Sequence, residues 1–167
     1  MIEKPKFFRG NIYKDKRGDL SEIYKKVNNV KFNFIIQSTS YKNVFRGLHF
    51  QRKFQQTKYI YLIKGKILDV VVDLRKNSKN FGKVYRYNLK PGCSLLIPKG
   101  YAHGYYTYGK ENILLYIMDN YRKKKYEDGI NVNCINLNII NKKKMIISEK
   151  DKNWGSILDF KKKYKGL

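Results

Sequence analysis

The chain has 167 residues, two histidines, two cysteines and a formal charge of +24 at pH 7. That length suits a single domain over residues 1–167, able to bury about two-thirds of its unfolded surface without a disulfide or metal to hold it. No apolar run approaches the ~18 residues that span a bilayer, and charges in the opening MIEKPKFFRG occupy the place of a signal peptide's apolar run, so a cytoplasmic protein with no membrane partner is expected.

The lysines are scattered among many Asn, Ile and Tyr, a mixture that base-composition bias produces unaided, so no nucleic-acid partner is expected. The runs Arg122 to Lys125, Lys142 to Lys144 and Lys161 to Lys163 read as solvated faces and turns. A positive surface would still speed capture of an anionic small substrate. Cys93 and Cys134 belong to no CxxC pair and read as reduced, packed thiols.

Along the chain, NFIIQSTS, KYIYLIKGKILDVVVDL, KVYRYNL, CSLLIP, GYYTY and NILLYIMDNY read as strands bounded by Gly, Pro, Asn or Lys. Gly65 supplies a tight turn within the second of these. Only the tail, from about Ser156 to Tyr164, shows helical spacing, with Ile157, Leu158 and Phe160 apolar. Many short strands and one short helical tail predict an all-β sandwich or barrel.

The two histidines lie in RGLHF (His49) and PKGYAHGYY (His103). Gly92, Pro98, Gly100 and His103 are spaced as in the second motif of the cupin superfamily, a resemblance that implies a jelly-roll β-barrel. The first cupin motif supplies two further His and a Glu as metal ligands. Here Gln51 stands where a second His would be, so neither metal nor cofactor is expected.

FRGLHFQ, QTKYIYLIKGKILDVVVDLRKNS followed by FG, IPKGYAHGYY, LLYIMDNY and ISEKD occur in order between Asp15 and about Asp151. In that order they resemble the dTDP-4-dehydrorhamnose 3,5-epimerases. The resemblance implies a nucleotide-sugar substrate, a homodimer, and a place in dTDP-rhamnose supply for lipopolysaccharide or capsular polysaccharide. Hydrogens beside the ketone of a 4-keto sugar are acidic, so inversion needs a base, an acid on the opposite face and a cation near the oxygen. An imidazole suits the base at neutral pH. By resemblance His49 is the proton acceptor, Asp151 the carboxylate behind it, Lys58 the cation near the keto oxygen and Tyr116 the proton donor.

Arg17 and Arg46 match positions that contact the diphosphate or nucleotide, where Arg can bind in a fork. Glu22, Gln37, His103, Glu127 and Lys150 match substrate contacts. This sequence also departs from the pattern. Gln37, Ser38 and Thr39 stand where Gln-Asp-Asn is usual, Asp19 and Leu20 replace Phe-Phe, Tyr105 replaces Phe, Arg122 replaces Tyr, and Ile140 and Asn141 lie where Trp-Pro is expected. Inversion at carbon 3 or 5 alone, or of a GDP-linked or heptose-derived 4-keto sugar, remains open. So do a catalytically silent sugar-nucleotide-binding cupin and a polyanion-binding barrel.

Overall fold

In a computed structural model, residues 3–26, 30–137 and 142–167 are described, so Ile140 and Asn141 lie outside the described residues. Two five-stranded antiparallel sheets face one another. The first runs β1 (Lys6–Arg9), β9 (Cys93–Ile97), β6 (Lys58–Lys64), β11 (Glu111–Met118), β4 (Phe34–Tyr41). The second runs β12 (Glu127–Gly129), β5 (Phe45–Gln51), β10 (Tyr101–Thr107), β7 (Ile67–Asp73), β8 (Val84–Leu89). Strands β2 (Ile12–Asp15) and β3 (Gly18–Ser21) form a separate hairpin. Helices α1 (Glu149–Lys152) and α2 (Ile157–Tyr164) follow near the C-terminus.

Three apolar layers explain the strand patterns. Between the sheets, Ile60, Leu62, Leu95 and Leu114 of the first meet Ile67, Val71 and Tyr105 of the second. On the outer face of the first sheet, Tyr59, Tyr61 and Leu96 are covered by Phe8, Tyr24 and Phe32. On the outer face of the second, Leu48, Phe50, Val70 and Val72 are covered by Ile130, Val132 and Phe160. β7 is buried on both faces, which is why ILDVVVD reads as a nearly unbroken apolar run. Each such side chain contributes about 1.5–3 kcal/mol by leaving water.

The expected turn at Gly65 is present with φ +98°, a conformation glycine adopts without steric cost. The helical tail is α2. Ser156 and Asp159 form a reciprocal capping box at its start, and Phe160 packs edge-on to Phe50 at 5.2 Å. Of the two cysteines, Cys93 is buried, but Cys134 is exposed and not packed as expected: it closes a one-turn 3-10 helix at the surface.

An irregularity in β5 shapes the centre of the molecule. His103 of β10 pairs with His49, yet Tyr105, two residues on, pairs with Arg46, three residues back. β5 therefore carries one extra residue, a β-bulge at Gly47 and Leu48. Without it, Arg46 and His49 would point to opposite faces; with it, both turn into the space between the sheets. Glycines make the crossing possible. A Cβ on Gly47 would stand 2.5 Å from Gly104 Cα, and one on Gly104 would stand 2.6 Å from the Arg46 carbonyl oxygen.

Candidate active site

One open end of the sandwich holds a cavity of about 640 Å³, within the range of small-molecule sites. Strand alternation sends Lys58 (β6), Tyr116 (β11), Ser38 (β4) and His103 (β10) inward to line it, and the bulge adds Arg46 and His49.

His49 Nε2 lies 2.6 Å from Asp151 Oδ1. An ionised carboxylate only accepts, so Nε2 carries the proton and Nδ1 keeps the lone pair that a base requires. His49 is about a third exposed, at 31%, whereas Asp151 is buried. Burial pushes the Asp151 carboxyl up. Hydrogen bonds from His49, the Gly47 amide at 3.2 Å and Trp154 Nε1 at 3.2 Å outweigh it and hold the group below its usual range. Asp151 is placed by α1, whose N-cap Ser148 accepts from the Asp151 amide at 3.2 Å.

Lys58 is buried, and its Nζ donates to the His49 carbonyl at 3.4 Å. Burial lowers its pKa to about 8, against the charges of Glu127 and Asp69, which raise it. Far from an edge, it lies on the central strand of its sheet. Tyr116 is partly buried beside it, its ring edge-on to His103 at 5.9 Å. Burial and neighbouring Tyr105 and Asp69 push its hydroxyl well above the usual tyrosine value. His103 is enclosed, 3% exposed, and donates from Nε2 to Asp69 Oδ2 at 2.9 Å. Burial lowers its pKa, so it is neutral at pH 7 and offers an uncharged ring to the cavity.

Cations gather around a carboxylate at the cavity's rim. Glu127 accepts from Nε and Nη2 of Arg122, the shortest contact at 2.9 Å, and from Lys150 Nζ at 2.5 Å. Burial raises the Glu127 pKa, but the two cations prevail and it is lowered. Arg46 donates to Ser40 Oγ at 2.8 Å, and Gln37 joins Ser38 on the cavity wall.

Three of the expected contacts lie elsewhere in this chain. Thr39 falls between Ser38 and Ser40, so strand parity turns its side chain to the exposed outer face; only its carbonyl meets Arg46, at 3.3 Å. Arg17 occupies the turn between β2 and β3, 84% exposed and paired with Asp15 at 2.6 Å. Glu22 accepts from Lys25 at 2.9 Å and from Asn11 at 3.1 Å, also away from the cavity. Asp19 and Leu20, on the same hairpin, do not line it either.

Sequence reasoning passed over Asp69, Ser40 and Trp154. Asp69 carried a signal: a carboxylate inside ILDVVVD, on the same face as Ile67 and Val71, must find a partner. Its partner is His103. Gln51, at the position of a cupin metal ligand, instead spends its amide on the carbonyls of Phe54 at 2.8 Å and Tyr121 at 3.3 Å.

Residues 1–159 match the family model described as dTDP-4-dehydrorhamnose 3,5-epimerase. The chain is 36% identical over 155 residues to the dTDP-4-dehydrorhamnose 3,5-epimerase of Methanothermobacter thermautotrophicus, covering 86% of this chain and 84% of that protein. Among solved structures, the epimerase from Bacillus anthracis with TDP and PPi bound superposes with a TM-score of 0.81 at 33% identity, covering 91% of this chain and 93% of that one. The dTDP-6-deoxy-D-glucose-3,5-epimerase from Legionella pneumophila, in complex with dTDP-4-keto-L-rhamnose, gives a TM-score of 0.86 at 27% identity, covering 94% and 89%.

Proposed function

The chain belongs to the dTDP-4-dehydrorhamnose 3,5-epimerase family, isomerases with the cupin jelly-roll fold, and from that premise we propose how its cavity inverts carbons 3 and 5 of dTDP-4-dehydro-6-deoxyglucose. The observation that carries the reading is one cavity lined by the His49–Asp151 pair, Lys58 and Tyr116. His49 Nδ1 removes the hydrogen on the carbon beside the ketone. Asp151 stabilises the imidazolium as it forms and keeps the ring in the tautomer that can accept. Charge builds on the keto oxygen, where Lys58, held inside by burial, supplies a fixed cation. Such a group is worth roughly 3–4 kcal/mol of transition-state stabilisation. Tyr116 returns a proton from the opposite face, and a buried phenol keeps that proton until the enolate needs it. Arg46, Arg122 and Lys150 give the cavity the positive rim that suits a diphosphate.

Incubation with dTDP-4-dehydro-6-deoxyglucose in deuterated water tests the reaction. Label is expected at carbons 3 and 5, lost in His49→Ala. No label from the wild type refutes the assignment, and label at one carbon alone would assign a single-centre epimerase.

The finer assignments belong to the same proposal. Residues 1–159 fall within one family model, which supports a single domain. A homodimer reconciles Arg17 and Glu22 with substrate contact, because the β2–β3 hairpin that holds Arg17 also exposes Tyr13 (53%) and Leu20 (70%). A second copy could cover those side chains and receive Arg17 at its own cavity. Sedimentation is expected to give a dimer, and Arg17→Ala to raise KM with kcat retained; a fully active monomer refutes this. A dTDP-activated sugar suits a cytoplasmic reaction feeding surface polysaccharide, and cell fractionation would locate the protein.

A further inference from the structure

Tyr105 stands where Phe is usual and Ser38 where Asp is usual, and the two departures meet in space, their hydroxyls 2.9 Å apart. The Tyr105 hydroxyl is also 2.9 Å from Ser40 Oγ. Ser40 Oγ accepts from Arg46 Nε at 2.8 Å, and the Thr39 carbonyl accepts from Arg46 Nη2 at 3.3 Å. Strand geometry enforces the cluster. Ser38 and Ser40 are alternate residues of β4, an edge strand of the first sheet, while Tyr105 of β10 is the register partner of Arg46 on β5, in the second. The hydroxyls therefore bridge the two sheets at the cavity wall, which Ser38 and Arg46 both line.

The oxygens are satisfied within the cluster. Tyr105 has no exposed surface and Ser40 is 2% exposed, so an unmet hydroxyl at either would be destabilising. A guanidinium only donates. Ser40 accepts from it and gives its own proton to Tyr105, which donates to Ser38, and the positive charge at the head of this chain polarises each bond in it. Arg46 is thus gripped along one edge, Nε and Nη2. Its other edge, Nη1 with the second Nη2 hydrogen, is a fork matched to phosphate oxygens. Arg122 and Lys150 are paired with the Glu127 carboxylate. Arg46 is instead held by neutral oxygens, and Ser38 in place of Asp ends the chain on a neutral hydroxyl, so the Arg46 charge is left for a ligand.

We propose that Tyr105 and Ser40 are positioning residues that set the Arg46 guanidinium before substrate arrives, so that its outer fork meets the diphosphate. This rests on the reading of the cavity's cations as the diphosphate subsite. An unheld arginine gives up its rotamer freedom on binding, whereas one already held has given it up on folding. Tyr105 acts at two removes: it fixes Ser40, and Ser40 fixes Arg46. No proton moves in this role, and the inversion step does not depend on it.

The test compares dTDP with thymidine, which lacks both phosphates, as competitive inhibitors, beside KM and kcat for the 4-keto substrate. Tyr105→Phe keeps the ring and removes the hydroxyl. It is expected to weaken dTDP and raise KM about 2- to 12-fold, as for one side chain to be ordered on binding, with kcat and thymidine inhibition within about twofold. Ser40→Ala removes the acceptor itself and should do at least as much. In an Arg46→Ala background Tyr105→Phe should weaken dTDP no further, because a residue that acts through Arg46 is silent without it. Unchanged dTDP inhibition in Tyr105→Phe, an equal loss for thymidine, or losses that multiply with that of Arg46→Ala overturn the proposal and leave the subsite reading intact. If Arg46→Ala itself is inhibited by dTDP as the wild type is, the reading of Arg46 as a diphosphate contact falls, and the proposal with it.

Discussion

Replacing Asp151 with Asn tests whether the carboxylate makes His49 a base. Asp151 accepts from His49 Nε2 at 2.6 Å, from Trp154 Nε1 at 3.2 Å and from the Gly47 amide at 3.2 Å. Asn offers one oxygen and one NH2, so it cannot accept on both sides. With the oxygen towards His49, its NH2 confronts the Gly47 N–H, and the imidazolium loses the charged partner. Hydrogen bonds to charged groups are worth about 1.5–3 kcal/mol, or roughly 10- to 150-fold in rate. With the amide reversed, Nε2 must accept, the ring proton moves to Nδ1, and the base is lost. That arrangement approaches the ~10⁴-fold drop caused by a wrong tautomer in Ser-His-Asp triads. Asp151→Asn should therefore lower kcat for deuterium exchange about 10- to 10⁴-fold, read by NMR at carbons 3 and 5. The stability sign is also fixed. The folded Asp151 pKa lies below its unfolded value, so its contribution is present above the usual carboxylate range and lost as pH falls through the folded value. Acid unfolding of the variant should lack that component. Exchange within about threefold of wild type, in a variant folded by thermal melting, would refute the role given to the carboxylate.

Lys58→Met should lower kcat about 10²- to 10³-fold, and wild-type activity should fall as pH rises through about 8, where the buried ammonium loses its proton. Between about 8 and the ordinary 10.5 the unfolded lysine holds more protons than the folded one, so wild-type stability gains with pH in that window and the Met variant does not; urea melts at several pH values read the difference. Gly129→Ala would place a Cβ 2.5 Å from Trp154 Nε1, pushing the indole off the Asp151 carboxylate, so exchange should slow by roughly 10- to 150-fold at most, the worth of one hydrogen bond to a charged group. Phe160→Ala removes a buried ring packed on Phe50 and Phe81 and should destabilise by about 3–5 kcal/mol in denaturant titration.

Interior strands were legible because burial writes itself as pattern: KYIYLI and ILDVVVD carry their layers in their apolar runs, and Gly65 marks the turn between them. The tail helix was legible through its spacing. Strands β2 and β3 were not, since IYKD and GDLS are mostly exposed and bear no apolar period. β5 escaped for another reason: its bulge breaks the alternation that identifies a strand, and the same bulge lets Arg46 and His49 share a face. Parity on β4 could have separated inward Ser38 from outward Thr39, had the strand's facing been known. Asp151 had no signal beyond family resemblance, because a four-residue helix is too short to announce itself.

His49 and its carboxylate are separated by 102 positions. Among the described residues the last sheet strand ends at Gly129, well before Asp151. The residues up to Gly129 thus hold every strand of the two sheets and the His49 imidazole, but not the carboxylate that orients it. The base and the cover over the second sheet are both completed by the C-terminal segment that carries Ser148, Asp151, Trp154 and Phe160. Turnover in this protein thus reports directly on whether that segment is seated, which the β-sheet signal of circular dichroism does not.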